Sequence, residues 1–218
     1  VTGNDAVISL AGPANKQGRI AADNICGGDS RYLGSQGSSV IKVFGLTAAA
    51  TGVNETNAKK AGLAADKVVL SPMSRAGYYP GGRVMTMKVV FEKETYRLLG
   101  AQIVGYEGVD KRIDVLATAI RAGLNATELK DLDLAYAPPY SSAKDPVNMA
   151  GFMADNIQQG ILKQWFLEDL DRLPRDGSVT LLDARTADEY SQGHIDDFKN
   201  IPVDELRERL KEVEPGKP

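Results

Sequence analysis

Reactive side chains are scarce in this sequence. Among its 218 residues it has one cysteine, Cys26, and one histidine, His194. A single thiol forms no intrachain disulfide, so a reducing, cytoplasmic compartment is the expectation. A zinc site of the usual Cys/His kind cannot be assembled, and no metal is expected. A Cys–His catalytic pair would require these two residues to meet, and nothing in the sequence draws them together. Aromatic residues make up only 6%, with Trp165 as the sole tryptophan. No apolar run approaches the ~18 residues that cross a bilayer, so no integral membrane protein is expected. Neither charge sign dominates: Lys+Arg is 26 and Asp+Glu is 29, a net charge of −3. Without a broad basic excess, nucleic acid is not an expected partner. No basic, apolar, small-residue series opens the chain as a secretory signal would. Chemistry involving this chain would draw its reactive groups from a cofactor, a partner subunit or sequence outside it.

What is present is ordinary globular usage, 43% hydrophobic and 25% charged. Val7, Ile8 and Leu10 begin extended, and a helix is predicted from Ala14 to Cys26, with Pro13 tolerated at its start and Gly27-Gly28 ending it. Val40–Phe44 alternates like a strand. A helix is predicted over Thr51–Gly62, with Asn54 as its cap. Strands follow at Lys67–Leu70, Arg83–Phe91 and Leu98–Val104, the last two as an antiparallel hairpin. Val109–Ala122 is amphipathic, with Ile113, Leu116, Ala117 and Ile120 on one face. Asn125 caps a short helix containing Leu129. Tyr136-Ala-Pro-Pro-Tyr140 cannot be helical, because each proline holds its predecessor extended. Asp145-Pro146 opens a helix to about Gln159. Beyond a polar linker at Arg172–Gly177 come a strand at Val179–Asp183, a helical Thr186–Gln192 and a charged amphipathic helix at Val203–Val213. That strand pattern has no later partner in its own region. With Val at residue 1 and a closing turn at Glu214-Pro-Gly-Lys-Pro218, it leads to the expectation of a fragment of a longer protein.

Three features bear on chemistry. Leu10-Ala-Gly-Pro-Ala-Asn-Lys-Gln-Gly18 is an extended run entering a helix N-terminus, where free N–H groups favour negative charge. It reads either as a cap with small residues for packing or as a ligand contact. Gly77-Tyr-Tyr-Pro-Gly81 and Tyr136-Ala-Pro-Pro-Tyr140 place four of the eight tyrosines on two proline-restricted loops. Phenols held there are good donors to a ligand or a developing anion, although Tyr also favours interfaces. Lys111-Arg112, with Asp110 and Asp114, reads as a solvated helix face. Cys26 sits at a helix C-terminus, which disfavours a thiolate, and His194 in a loop reads as structural.

Residues Ile8-Ser-Leu-Ala-Gly-Pro-Ala-Asn-Lys-Gln-Gly-Arg-Ile-Ala-Ala-Asp-Asn-Ile25 resemble the last piece of the FAD domain of pyridine nucleotide-disulfide oxidoreductases. They look like the branch of NADH oxidases, NADH peroxidases and coenzyme A-disulfide reductases. Glu107-Gly-Val-Asp-Lys-Arg-Ile-Asp-Val115 and Tyr136–Tyr140 are specific to that branch. Leu181-Leu-Asp-Ala-Arg-Thr-Ala-Asp-Glu-Tyr190 and Gly193-His-Ile195 resemble the opening of a rhodanese domain. The resemblance implies an α+β fold, an antiparallel sheet flanked by helices. It implies a C-terminal piece of an FAD domain at 1–62, a dimerisation domain at 63–170 and a truncated rhodanese-like domain at 171–218. A homodimer is implied, using FAD and NAD(P)H to reduce coenzyme A disulfide, persulfide or polysulfide, with a coenzyme A-type ligand. Tyr78 and Tyr136, with Tyr79 and Tyr140 as the alternatives, would act in the partner subunit's active site. Leu10, Ala11, Gly12 and Ala14 would approach the flavin. Asp183, Arg185, Glu189 and His194 would brace the rhodanese unit. The family's dinucleotide motif, redox cysteine and NADH domain are absent from these 218 residues. The rhodanese persulfide cysteine is absent too, so the chain by itself is expected to be inactive and to bind FAD weakly. An NADH oxidase or peroxidase, or a non-catalytic dimerisation module, are the other readings.

Overall fold

A computed structural model of the chain describes residues 1–217. Pro218, the end of the expected closing turn, lies outside the described residues. The chain divides into two units, Val1–Gln164 and Trp165–Pro218.

The first unit opens with α1 (Ala11–Ile25) and continues through β1 (Ser39–Val43), β2 (Leu46–Gly52), α2 (Glu55–Lys60), β3 (Ala65–Leu70), β4 (Met85–Glu92) and β5 (Leu98–Gly105). Then come α3 (Val109–Ala122), a 3₁₀ turn at Ala126–Asp131 and α4 (Pro146–Gln158). The strands form one sheet in the order β1-β2-β5-β4-β3, with every neighbouring pair antiparallel. This is the expected α+β architecture. The sheet runs across residue 62. β1 and β2, grouped with the first piece in the sequence reading, are joined through β5 to the strands of the second.

Side-chain alternation decides which face is buried. Met85, Met87, Val89 and Phe91 of β4 point one way, and Ala101 and Ile103 of β5 join them. Val109, Ile113, Leu116 and Ala119 return along one face of α3 to the same core. Val147, Ala150 and Ala154 of α4 close it, together with Ala126 and Leu129 of the 3₁₀ turn. Full burial of a side chain such as Leu116 contributes about 1.5–3 kcal/mol.

Beyond shifts of one or two residues at strand ends, the first unit differs from the sequence reading near α1, β2 and α2. α1 begins at Ala11, so Ala11 and Gly12 lie inside its first turn, where Pro13 still costs no hydrogen bond. β2 was not foreseen, because Leu46-Thr-Ala-Ala-Ala-Thr-Gly52 has no apolar alternation, and Thr51 and Gly52 belong to it rather than to a helix. The helix that follows is only Glu55–Lys60, its Asn54 cap accepting the Asn57 N–H at 2.8 Å.

In the second unit, β6 (Leu182–Asp183) does have a partner, contrary to expectation. β7 (Lys199–Asn200) pairs parallel with it, reached through α5 (Ala187–Ser191). A two-residue strand of Lys and Asn carries no apolar pattern to announce it. The expected helix at Val203–Val213 is split into α6 (Val203–Leu206) and a 3₁₀ turn at Leu210–Glu212. Among the described residues of this unit, Ile201 alone is fully buried. Among the described residues, no helix of either unit is long and apolar enough to cross a membrane.

Candidate functional site

The two tyrosine loops meet. The first joins β3 to β4 and the second joins the 3₁₀ turn to α4. The Ala76 N–H donates to the Ser141 carbonyl at 3.1 Å and ties one loop to the other. Each loop folds back locally, through Tyr79 N–H to Ala76 O and Tyr140 N–H to Ala137 O, both at 2.9 Å. The Tyr78 and Tyr136 hydroxyls then hydrogen-bond at 2.8 Å. Both rings are exposed, Tyr78 at 77% and Tyr136 at 44%. The bond to Tyr78, with desolvation adding to it, raises the Tyr136 phenol above its ordinary value. Tyr136 is therefore neutral at pH 7, an O–H offered at the surface beside a second one. Tyr79 and Tyr140 are also exposed, but no such bond joins them, and Tyr140 instead edges a cavity of about 230 Å³ with Arg75, Glu107 and Lys111. An Arg75–Glu107 ion pair lies along that cavity.

Behind the loops sits a buried guanidinium. Arg112 is 1% exposed, which corrects the expectation of a solvated face at Lys111-Arg112. Its Nε donates to Asp145 Oδ1 at 3.3 Å and its Nη2 to Oδ2 at 3.0 Å. Nη2 also reaches the Ser74 carbonyl at 3.0 Å, the Ser141 hydroxyl at 3.0 Å and the Tyr140 carbonyl at 3.4 Å. Nη1 donates to the Gly108 carbonyl at 3.1 Å. Asp145 takes further bonds from Ser141 Oγ at 2.6 Å and Val147 N–H at 3.0 Å. Burial alone would raise the Asp145 carboxyl, but the bonds from Ser141, Val147 and Arg112 and the Arg112 charge hold it below the ordinary range. Sequence reasoning missed this network, yet a signal was there. Val109, Arg112, Ile113, Leu116 and Ala119 follow three- and four-residue spacing, so Arg112 belongs to the apolar stripe.

Leu10, Ala11, Gly12 and Ala14 form the entrance of α1. Leu10 is extended and gives no side-chain cap. The Ala14 N–H is used within the helix, to the Leu10 carbonyl at 3.2 Å, and Pro13 has none. Ala11 and Gly12 therefore present the helix's unpaired donors. A side chain built on Gly12 would meet nothing within 4 Å, and α1 has no buried residue. These donors fit an edge contact to an oxygen-bearing group such as a flavin; they do not form a complete site.

In the second unit, Arg185 grips Asp183 through Nε at 3.0 Å and Nη2 at 2.7 Å, and donates to the Gly193 carbonyl at 2.8 Å. Its hydrogen bond is the main reason the Asp183 carboxyl sits below its usual range. Glu189 caps α5 through the Thr186 N–H at 2.9 Å. His194 stacks on Tyr190 with ring centroids 3.8 Å apart. Cys26 is exposed, and among the described residues no group of acidic, His and Cys side chains could hold a metal.

The pyridine nucleotide-disulphide oxidoreductase dimerisation domain matches residues 38–146, and a rhodanese-like domain matches residues 166–218. Reduced CoADR-RHD from Bacillus anthracis superimposes with a TM-score of 0.91 at 48% identity, covering 100% of this chain and 39% of that one. A NAD-dependent persulfide reductase from A. fulgidus follows at TM-score 0.88 and 41% identity, covering 98% of this chain and 38% of the other. Coenzyme A disulfide reductase of Staphylococcus epidermidis is 36% identical over 150 residues, 68% of this chain and 34% of that protein. The chain thus spans about a third of the length of the curated relatives it matches. With half of its residues in that dimerisation domain and the expected antiparallel sheet built from them, the chain belongs to the pyridine nucleotide-disulphide oxidoreductase family.

Proposed function

We propose that this chain is the C-terminal part of a cytoplasmic, homodimeric flavoprotein that uses NAD(P)H and FAD to reduce coenzyme A disulfide, a persulfide or a polysulfide. In this reading residues 1–62 complete the FAD domain, 63–170 form the dimerisation domain and 171–218 begin the rhodanese-like unit. The chemistry that bound FAD would supply is two-electron transfer between NAD(P)H and a redox cysteine other than Cys26. The Ala11 and Gly12 N–H groups, in the turn closed by the Ala14 N–H to Leu10 carbonyl bond, would face the edge of a bound flavin. The chain's own chemical contribution is the hydroxyl pair of Tyr78 and Tyr136, offered to the partner subunit's sulfur site. Cleaving an S–S bond with two electrons releases a thiolate, and a neutral phenol can hydrogen-bond to that sulfur or give it a proton. A coenzyme A-type ligand is the substrate class that the named relatives suggest.

The observation that carries this reading is the 2.8 Å contact of two exposed, loop-held hydroxyls. Interface packing of the rings would not require the oxygens to meet. In the full-length enzyme, Tyr78→Phe and Tyr136→Phe should each lower disulfide turnover ~10–1000-fold while flavin reduction by NADH stays intact. Parental turnover in both variants would return these tyrosines to a packing role. An NADH oxidase or peroxidase is the second reading, favoured by the 25% identical water-forming NADH oxidase of Lactobacillus brevis, at TM-score 0.69. Comparing coenzyme A disulfide with dioxygen and peroxide as acceptors separates the two. A non-catalytic dimerisation module would stay colourless with FAD and show no NADH consumption.

A further inference from the structure

We infer that Arg112, locked by Asp145 and assisted by Lys111, is a positioning residue that sets the distance between the Tyr78 and Tyr136 hydroxyls. The inference rests on the reading that these two tyrosines serve the reacting sulfur, and it adds the device that holds them.

The argument starts from which backbone each donor grips. On the first loop, Arg112 holds the Ser74 carbonyl, a short step before Tyr78. On the second loop, it holds the Tyr140 carbonyl and the Ser141 hydroxyl, a short step after Tyr136. The neighbouring Lys111 Nζ donates to the Ala135 carbonyl at 3.2 Å, directly before Tyr136. Two consecutive residues of α3 therefore pin the second loop on both sides of its Pro-Pro turn, and one of them also pins the first. The Ala76–Ser141 bond is the only backbone bond between the two loops among the described residues, and it shares Ser141 with the guanidinium. Gly108 leaves room for this arrangement: a Cβ there would lie 1.9 Å from Arg112 Nη1.

A buried ion pair is a weak device for stability, because desolvation offsets most of its attraction. What a planar five-donor fork supplies is fixed geometry. Here that geometry is spent on the roots of the two loops whose tips carry the hydroxyls. Lys at position 112 would keep the charge and lose the fork.

The test uses the full-length flavoprotein, with tyrosines ¹³C-labelled at the ζ carbon and the Tyr136 signal identified by its loss in Tyr136→Phe. Two variants, Arg112→Lys and the half-exposed Lys111→Met, are compared with Tyr78→Phe. Arg112→Lys is expected to retain FAD and its reduction by NADH, to lower kcat on the disulfide ~10–100-fold and to leave KM within about twofold. Its Tyr136 phenol should titrate at lower pH than in the parent, as it does in Tyr78→Phe, because the partner oxygen is gone. Lys111→Met should move both readouts the same way by less, and it carries the test if Arg112→Lys does not fold. An unchanged Tyr136 titration and unchanged kcat in the variants that fold would overturn the inference. If Tyr78→Phe turns over at the parental rate while Arg112→Lys still shifts the Tyr136 titration, the clamp stands and the proposed tyrosine role falls. If Tyr78→Phe is slow but neither α3 variant alters the Tyr136 titration, the clamp falls and the tyrosine role stands.

Discussion

Asp145 accepts Arg112 on both carboxylate oxygens, Nε to Oδ1 at 3.3 Å and Nη2 to Oδ2 at 3.0 Å, at a place where neither side chain sees water. Removing Asp145 leaves the guanidinium buried without its counter-charge, which costs about 3–5 kcal/mol, whereas removing Arg112 still leaves Asp145 the half-exposed Lys111 Nζ at 3.8 Å. Asp145→Leu should lose that much in chemical denaturation, and Arg112→Met less, because Lys111 still faces the carboxylate. The double variant should lose much less than the sum, because it removes both charges from the interior. Additive losses would mean that the two groups are solvated independently, against the geometry described.

The same carboxylate makes the first unit sensitive to acid. Its folded-state pKa lies below the unfolded value of about 3.9, so its stabilisation is fully present above that value. The stabilisation is lost as pH falls through the folded pKa. Tyr136 acts at the other end: its raised pKa gives stability that is present below about 10 and lost as pH rises through the folded value. Unfolding midpoints followed downward from pH 5 should show an acid limb that flattens in Asp145→Asn. A variant limb as steep as the parent's would assign the acid sensitivity to other carboxylates.

The fold was legible wherever a period survived. β4 alternates from Met85 to Val89, and α3 ran from Val109 to Ala122 as its apolar spacing and the αL glycine at Gly123 require. The Asn54 and Asn125 caps and the helix start at Asp145-Pro146 are local chemistry and could be placed without tertiary information, whereas Thr186, read as helical, is the cap of α5. β2 and β7 were not legible, because an alanine run and a Lys-Asn pair become strands only by finding neighbours. At the site, the loops were found through their prolines, and Tyr78 was paired with Tyr136 only by resemblance. The guanidinium was missed because charge was read before position: Arg112 sits one turn before Leu116, on the buried stripe.

Gly108 and Gly123 separate backbone strain from crowding. Both have left-handed backbones, φ +70° and +78°. A side chain at Gly123 meets open space, whereas at Gly108 it meets the Arg112 fork. Gly123→Ala should therefore cost only the conformational term, about 1–2 kcal/mol. Gly108→Ala should cost more and should also shift the Tyr136 titration, which Gly123→Ala should leave alone. Equal losses and an unmoved Tyr136 in both variants would show that the guanidinium tolerates displacement.

Gly151 sets two ordinary rules against each other. It lies inside α4, where Ala is favoured over Gly by about 1 kcal/mol. But α4 rests on the 3₁₀ turn there, and a Cβ would stand 2.2 Å from the Lys130 nitrogen and 2.7 Å from the Leu129 carbonyl carbon. Those are backbone atoms, held in turn by Asn148 Nδ2, which donates to the Leu129 carbonyl at 3.0 Å and the Leu132 carbonyl at 2.9 Å. They cannot swing aside as a flexible side chain would, so the helix must lift. Overpacking of this kind costs about 1–3 kcal/mol, and the helix-propensity gain recovers part of it at most. Gly151→Ala should therefore lower the unfolding midpoint despite the better helix former. A second variant locates the cause: Asn148→Ala frees the turn carbonyls, so adding Gly151→Ala to it should cost less than in the parent. A stabilised Gly151→Ala would mean that the contact between α4 and the turn is looser than these distances require.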